Sequence, residues 1–155
     1  MVNFYDTRLT ASGGVMLVEE KQADYEADKM NCPEQIAILA CQLLHLDEYA
    51  EEHIYMLALN SACGLLGIFL ISKGTVNVSI ASPREIYIRA LSAGAAQIVL
   101  IHNHPSGSVM PSEHDIKLTK RVKEAGELLG ISLSDHIIIG GKSGTYISFR
   151  EAKLL

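Results

Sequence analysis

Ile101-His102-Asn103-His104-Pro105-Ser106-Gly107, followed by Pro111-Ser112-Glu113-His114-Asp115, decides how this chain is read. Two histidines stand two apart, a tight loop follows, and a serine and an aspartate three apart open a helix. In an extended backbone, residues two apart point to the same side. His102 and His104 can therefore aim at one point while Asn103 faces away. Imidazole nitrogen and carboxylate oxygen are ordinary zinc ligands, and three protein ligands leave a fourth position for water. Asp115 can supply the third ligand from the first turn of the next helix, because Pro105, Ser106 and Gly107 turn the chain back. A water on such a zinc becomes a usable nucleophile near neutral pH, but it needs a base to take its proton. Glu52 is the candidate base. It sits at the mouth of the apolar run Ile54 to Leu59, where partial desolvation favours protonation cycling. Ser112 can donate a hydrogen bond to the charged oxygen of a tetrahedral intermediate.

Each of these residues has a plainer reading. A His-x-His pair alone is more often structural or exposed than metal-binding. Ser112 to Asp115 is also a capping box, with Asp in the place of Glu. The two readings are compatible, since the helix start still places Asp115. Glu52 taken alone is an exposed strand-end carboxylate. His53 points opposite to Glu52, His45 ends a helix at the surface, His114 projects away from Asp115, and Asp135-His136 reads as a structural hydrogen-bonded pair. Lys117, Lys120, Arg121 and Lys123 form a basic cluster, ordinarily a solvated face and alternatively a contact for phosphate or an acidic partner.

Outward from the motif, periodicity supplies the elements. Gln97 to Ile101 is a short apolar strand that delivers His102. Ile116, Leu118, Val122, Ala125, Leu128 and Leu129 mark a long amphipathic helix ending near Gly130. Pro33 opens a helix to about His45, with Ile36, Leu39, Ala40, Leu43 and Leu44 at helical spacing. The unbroken apolar run from Ile54 to Leu59 reads as a strand covered on both faces. Leu65 to Ile71 is a second strand, and Thr75 to Ile80 a candidate third. Ser82-Pro83-Arg84-Glu85 is a helix start. Asp135 to Gly140 and Thr145 to Phe149 form a last pair of strands. Val15 to Val18 is a candidate short strand, and Lys21 to Lys29 reads as a solvated arm or edge segment. Helices interleaved with strands, with hairpin-type joins at both ends, imply an α/β or α+β domain with a mixed sheet.

The chain has 155 residues, enough for one domain with a sizeable core. Its net charge of −5 weakens a case for non-specific nucleic-acid binding without excluding a local patch. Cys32, Cys41 and Cys63 are odd in number and form no CxxC pair, so neither a disulfide framework nor a cysteine metal site is expected. A reducing cytoplasm fits best. No basic-then-apolar leader pattern is visible, and no apolar run approaches the roughly 20 residues of a spanning helix.

At these residues the chain resembles the RadC family, a bacterial branch of the JAB/MPN (JAMM) metalloprotease superfamily. The JAMM motif is a distant Glu, then His-x-His, seven residues, and Ser-x-x-Asp. In this chain His102-Asn103-His104 is followed by Pro105 to Pro111 and then Ser112-Glu113-His114-Asp115. Closer to the RadC type are His102 to Gly107, Pro111-Ser112, Asp115-Ile116 and Leu118-Thr119, then Leu129-Gly130-Ile131 and Asp135 to Gly140. Upstream, Gly74-Thr75 and Pro83-Arg84-Glu85 match, with Ser82 where the family often has His. The distant Glu falls on Glu52, eight residues before Asn60, with Glu51 beside it. The resemblance runs roughly from Pro33 to Phe149. It divides the chain into an N-terminal arm or edge segment, 1–30, and a RadC-like JAB/MPN domain, 31–155.

The resemblance implies a cytidine-deaminase-like mixed sheet flanked by helices. It implies a Zn2+ site with His102, His104 and Asp115 as ligands, Glu52 as general base and Ser112 as oxyanion support, and hence a zinc peptidase or isopeptidase acting on a protein or peptide substrate. Two alternatives stand beside it. One is a DNA-repair-associated or mobile-element accessory protein with structural or vestigial zinc. Longer RadC-like proteins carry a helix-hairpin-helix region ahead of this domain, which residues 1–30 are too few to hold. The other is a zinc deaminase, against which the missing Pro-Cys-x-x-Cys and His-x-Glu patterns argue.

Overall fold

The computed structural model describes residues 1–27, 29–74, 81–141 and 144–155. The strand expected at Thr75 to Ile80 lies outside them. Among the described residues ten elements follow one another: β1 (Val2–Leu9), β2 (Val15–Ala23), α1 (Pro33–Gln42), β3 (Glu52–Leu59), β4 (Leu65–Gly74), α2 (Pro83–Ser92), β5 (Gln97–His104), α3 (Glu113–Leu129), β6 (Ser132–Gly140) and β7 (Thr145–Ser148). The strands form one mixed sheet in the order β2-β1-β4-β3-β5-β6-β7. Parallel pairing joins β1 to β4 and β5 to β6, and the other neighbours are antiparallel.

The central strands explain the three layers. Along β3, Leu57 and Leu59 face one way and Met56 and Ala58 the other, all fully buried. Along β5, Val99 and Ile101 pair with the first set, and Ile98 and Leu100 with the second. Alternation with apolar residues on both faces demands a cover on both. Ile36, Leu39 and Ala40 of α1 cover one face. Ile86 and Ala90 of α2, with Leu118 and Val122 of α3, cover the other.

Several elements depart from expectation. β1 was not legible, yet Val2 and Phe4 are buried and Phe4 pairs with Ile68 of β4. β2 runs to Ala23, past the expected Val15 to Val18, because it is held by the full length of β1. α1 stops at Gln42 rather than near His45, where the chain turns with φ of 52°. β5 extends through His104, so both histidines belong to the strand itself.

Two features fix α3. At its start Ser112 accepts from the Asp115 amide, and Asp115 accepts from the Ser112 amide. Further along, α3 meets α2 at Gly126. There a Cβ would lie 2.2 Å from the Ile131 carbonyl oxygen and 2.3 Å from the Tyr87 hydroxyl. That hydroxyl donates to the Val122 carbonyl, 2.8 Å away. In an open helix Gly to Ala gains about 1 kcal/mol. Contact with a backbone carbonyl reverses the sign. Gly126→Ala is expected to destabilise the protein by roughly 1–3 kcal/mol through overpacking, read as a lower denaturant midpoint. An unchanged or higher midpoint contradicts this packing.

Candidate metal centre

The site follows from strand parity. His102 and His104 share the face of Ile98 and Leu100, which is the face covered by α3, and Asp115 reaches it from the first turn of that helix. β3 pairs with β5 from Leu59↔Gln97 to Ile54↔His102. Continued by two residues, that register sets Glu52 opposite His104 and on the same face. Glu52 is half-buried. With His104, Pro105, Ser112, Asp115 and Gly74 it lines an open cleft of about 390 Å3. Glu51 lines the same cleft with its side chain exposed. Ser112 is exposed at the rim, and its hydroxyl donates to Asp115 Oδ2 at 2.7 Å.

The three central side chains offer ligand atoms that all lie within 4.8 Å of one another. His102 Nε2 is 3.0 Å from His104 Nε2 and 3.3 Å from Asp115 Oδ1, and His104 Nε2 is 3.4 Å from Asp115 Oδ2. His104 Nδ1 is 2.8 Å from the Ser108 carbonyl, which can only accept, so Nδ1 carries a hydrogen. In the neutral ring Nε2 is then a bare lone pair aimed at another nitrogen and a carboxylate. Two imidazole nitrogens and a carboxylate thus converge on one point, a donor set that could hold a cation. A divalent metal ion fits this donor set, and in its absence a proton takes that place.

The electrostatics agree. Burial works to raise the Asp115 carboxyl, but its hydrogen bonds to His102 and His104, the His102 charge and the Ser112 bond together hold it well below the usual carboxylate range. His104 is raised above its ordinary value, chiefly by its hydrogen bond to Asp115. Burial opposes that rise, and the Ser108 carbonyl and the charges of Asp115 and Glu52 add to it.

Two supports were not anticipated. Asn103 does face away from the cluster, but it is not idle. Its Oδ1 accepts from the His53 amide at 2.8 Å and its Nδ2 donates to the Glu51 carbonyl at 3.0 Å. Asn103 therefore replaces the β-ladder where β3 begins, and it holds the backbone on both sides of Glu52. His53, opposite Glu52 as expected, is buried and bonds the same Glu51 carbonyl through Nδ1. The legible signal was a buried amide at the end of an apolar strand, which must find partners.

The expected Asp135-His136 hydrogen bond is present, through the His136 amide at 2.8 Å. Asp135 accepts from the His136 and Arg150 amides and the Ser148 hydroxyl, so its carboxylate braces the β6–β7 end and not the imidazole. The fully buried His136 ring instead bonds His102 and Thr119. Burial, first among the causes, keeps His136 well below the ordinary imidazole range. A bulge sets the face of this ring. Ile98 pairs with Leu133 but Val99 with Asp135, so His136 arrives on the α3 face beside Leu133. His45 and His114 are exposed, as expected, and His114 stands at the cleft rim.

A three-layer domain with a seven-stranded mixed sheet carries two strand histidines and a helix-start aspartate as its candidate metal centre. Comparison with known proteins gives the family. The RadC-like JAB domain matches residues 30–154, and the chain belongs to that family. A UPF0758 protein of Clostridium acetobutylicum is 41% identical over 131 residues, covering 84% of this chain and 56% of that protein. Another from Finegoldia magna is 43% identical over 122 residues, 79% of this chain and 53% of its own length. A third, from Enterococcus faecalis, is 48% identical over 101 residues, 65% of this chain and 43% of its own. The chain thus spans about half the length of the curated relatives it matches.

Asn103→Ala leaves the buried His53 amide unpaired, which is expected to cost about 1–3 kcal/mol. Denaturant unfolding of the metal-free protein checks this, and a cost near zero contradicts the clamp. Metal binding should also weaken with acid. A metal must displace the proton that Asp115 favours on His104, so affinity falls as the pH drops through the raised His104 value. Zn2+ titrations across neutral and mildly acidic pH report it, and a flat profile contradicts it.

Proposed function

We propose that this chain is a zinc-dependent peptidase or isopeptidase. The observation that carries the reading is the convergence of His102, His104 and Asp115 beside an open cleft that also holds Glu52. Two imidazoles and one carboxylate suit zinc and leave a position for water. Bound zinc would supply an acidified water and polarise the scissile carbonyl.

The chain's own residues do the rest. His102 and His104 would hold the metal through Nε2, and Asp115 through the carboxylate whose Oδ2 Ser112 orients. A carboxylate oxygen of Glu52 would serve as the base that accepts a proton and passes it to the leaving amine. Ser112 turns its hydroxyl from Asp115 towards the developing oxyanion. The cleft is open to the surface, which suits an extended protein or peptide segment. Along α3, Lys117 pairs with Glu113 at 3.6 Å and Lys120 with Glu124 at 3.9 Å. Half of the basic cluster is thereby balanced, which favours a protein or peptide partner over DNA. Among the described residues no helix is long and apolar enough to cross a membrane. With three free cysteines, a cytoplasmic setting is part of the proposal.

Zn2+-loaded protein incubated with linear and lysine-branched peptide libraries is expected to release new amino termini or free lysine side chains. Glu52→Gln should keep the metal and lose at least about 100-fold in rate. Equal cleavage by Glu52→Gln removes the base assignment, and no cleavage by the zinc-loaded parent in either library contradicts the activity.

A further inference from the structure

The ring of His136 is fully buried at the back of the candidate metal centre. Its Nε2 lies 2.8 Å from His102 Nδ1, and its Nδ1 lies 2.6 Å from Thr119 Oγ1. Thr119, itself 2% exposed, donates its hydroxyl hydrogen to the Asp115 carbonyl at 2.6 Å. Phe149 stacks on the ring at a centroid distance of 4.7 Å. The chain of bonds therefore runs from one proposed ligand, His102, through His136 and Thr119 to the backbone of another, Asp115.

The direction of every hydrogen in this chain can be worked out. A carbonyl only accepts, so the single hydroxyl hydrogen of Thr119 is spent on Asp115. Thr119 Oγ1 must then accept from His136, which places a hydrogen on His136 Nδ1. A fully buried ring with no carboxylate bonded to it is neutral, because an unpaired buried charge is too costly. His136 Nε2 is therefore a lone pair. Two lone pairs cannot face each other at 2.8 Å, so His102 carries its hydrogen on Nδ1. The remaining lone pair of His102 is on Nε2, the atom that faces His104 and Asp115.

We propose that Thr119 and His136 form a proton-ordered relay that locks His102 in its Nδ1–H tautomer, keeping Nε2 permanently ready for a metal ion. This rests on reading the cluster as a metal centre, although the tautomers themselves do not. Both are positioning residues, since neither reaches the cleft. Thr119→Val keeps the volume and removes the hydroxyl. His136 then loses its acceptor, its hydrogen gains nothing by staying on Nδ1, and a move to Nε2 would force the His102 hydrogen onto the atom that should bind metal. Thr119→Ser keeps the hydroxyl and is the matching rescue.

Two measurements test the relay. Nitrogen–proton two-bond NMR correlations of the histidine rings, in the metal-free protein at a pH where both are neutral, should show Nδ1–H tautomers for His102 and His136. Chelator competition with Zn2+ alone should show Thr119→Val binding at least about tenfold more weakly, as is usual for loss of an outer support, with Thr119→Ser restoring the parent affinity. An Nε2–H tautomer of His102 in the parent protein overturns the relay, as does parental Zn2+ affinity in Thr119→Val. The NMR result needs neither metal nor a variant that folds, so a failure of the zinc reading would be seen separately as absent Zn2+ binding with the tautomers intact.

Discussion

Two imidazole nitrogens and a carboxylate are brought to one point inside the fold. His102 Nε2, His104 Nε2 and the Asp115 carboxylate stand 3.0–3.4 Å apart, and the other nitrogen of His104 already has its partner in Ser108. Such a convergence of polar groups, buried or half-buried, is a donor set that suits a cation. Much of the surrounding structure serves to hold it. β5 presents the histidines, the α3 cap presents the aspartate, and the apolar layers on both faces of the sheet keep those two elements in register.

The supports are placed with the same economy. Asn103 stands between the two histidines in sequence and on the opposite face in space. From there it fastens the start of β3 on both sides of Glu52. His136 stands on the neighbouring strand behind His102 and ties it to the helix that carries Asp115. One strand, Gln97–His104, thus contacts the ligands, the proposed base strand and the buried histidine. A close approach also fixes the loop that leads to α3, because Gly140 admits the Gly107 carbonyl where a Cβ would stand 2.5 Å away. That contact seats the loop between His104 and Ser112 on the end of β6.

Much of this was legible from the residues. The two-residue repeat of the histidines and the Ser112 to Asp115 cap each have a local cause, so spacing alone located them. The apolar runs at Ile54 to Leu59 and Gln97 to Ile101 announced strands buried on both faces, and the mixed sheet followed. β1 was hidden because Val2 and Phe4 alone are buried in a strand otherwise half-exposed and polar, with its pairing set by β4, more than sixty residues away. The partners of the His136 ring were not legible because a bulge sets its face, and no local pattern records a bulge in a parallel pair. The role of Asn103 depends on where the β3–β5 ladder stops, which only the folded sheet determines.

Metal content with X-ray absorption on the purified protein tests the central claim most directly. About one zinc ion per chain is expected, in a shell of two imidazoles and oxygen ligands, lost in His102→Ala and in Asp115→Ala. A folded protein that takes up no zinc on reconstitution, or one that keeps it after either substitution, would contradict it.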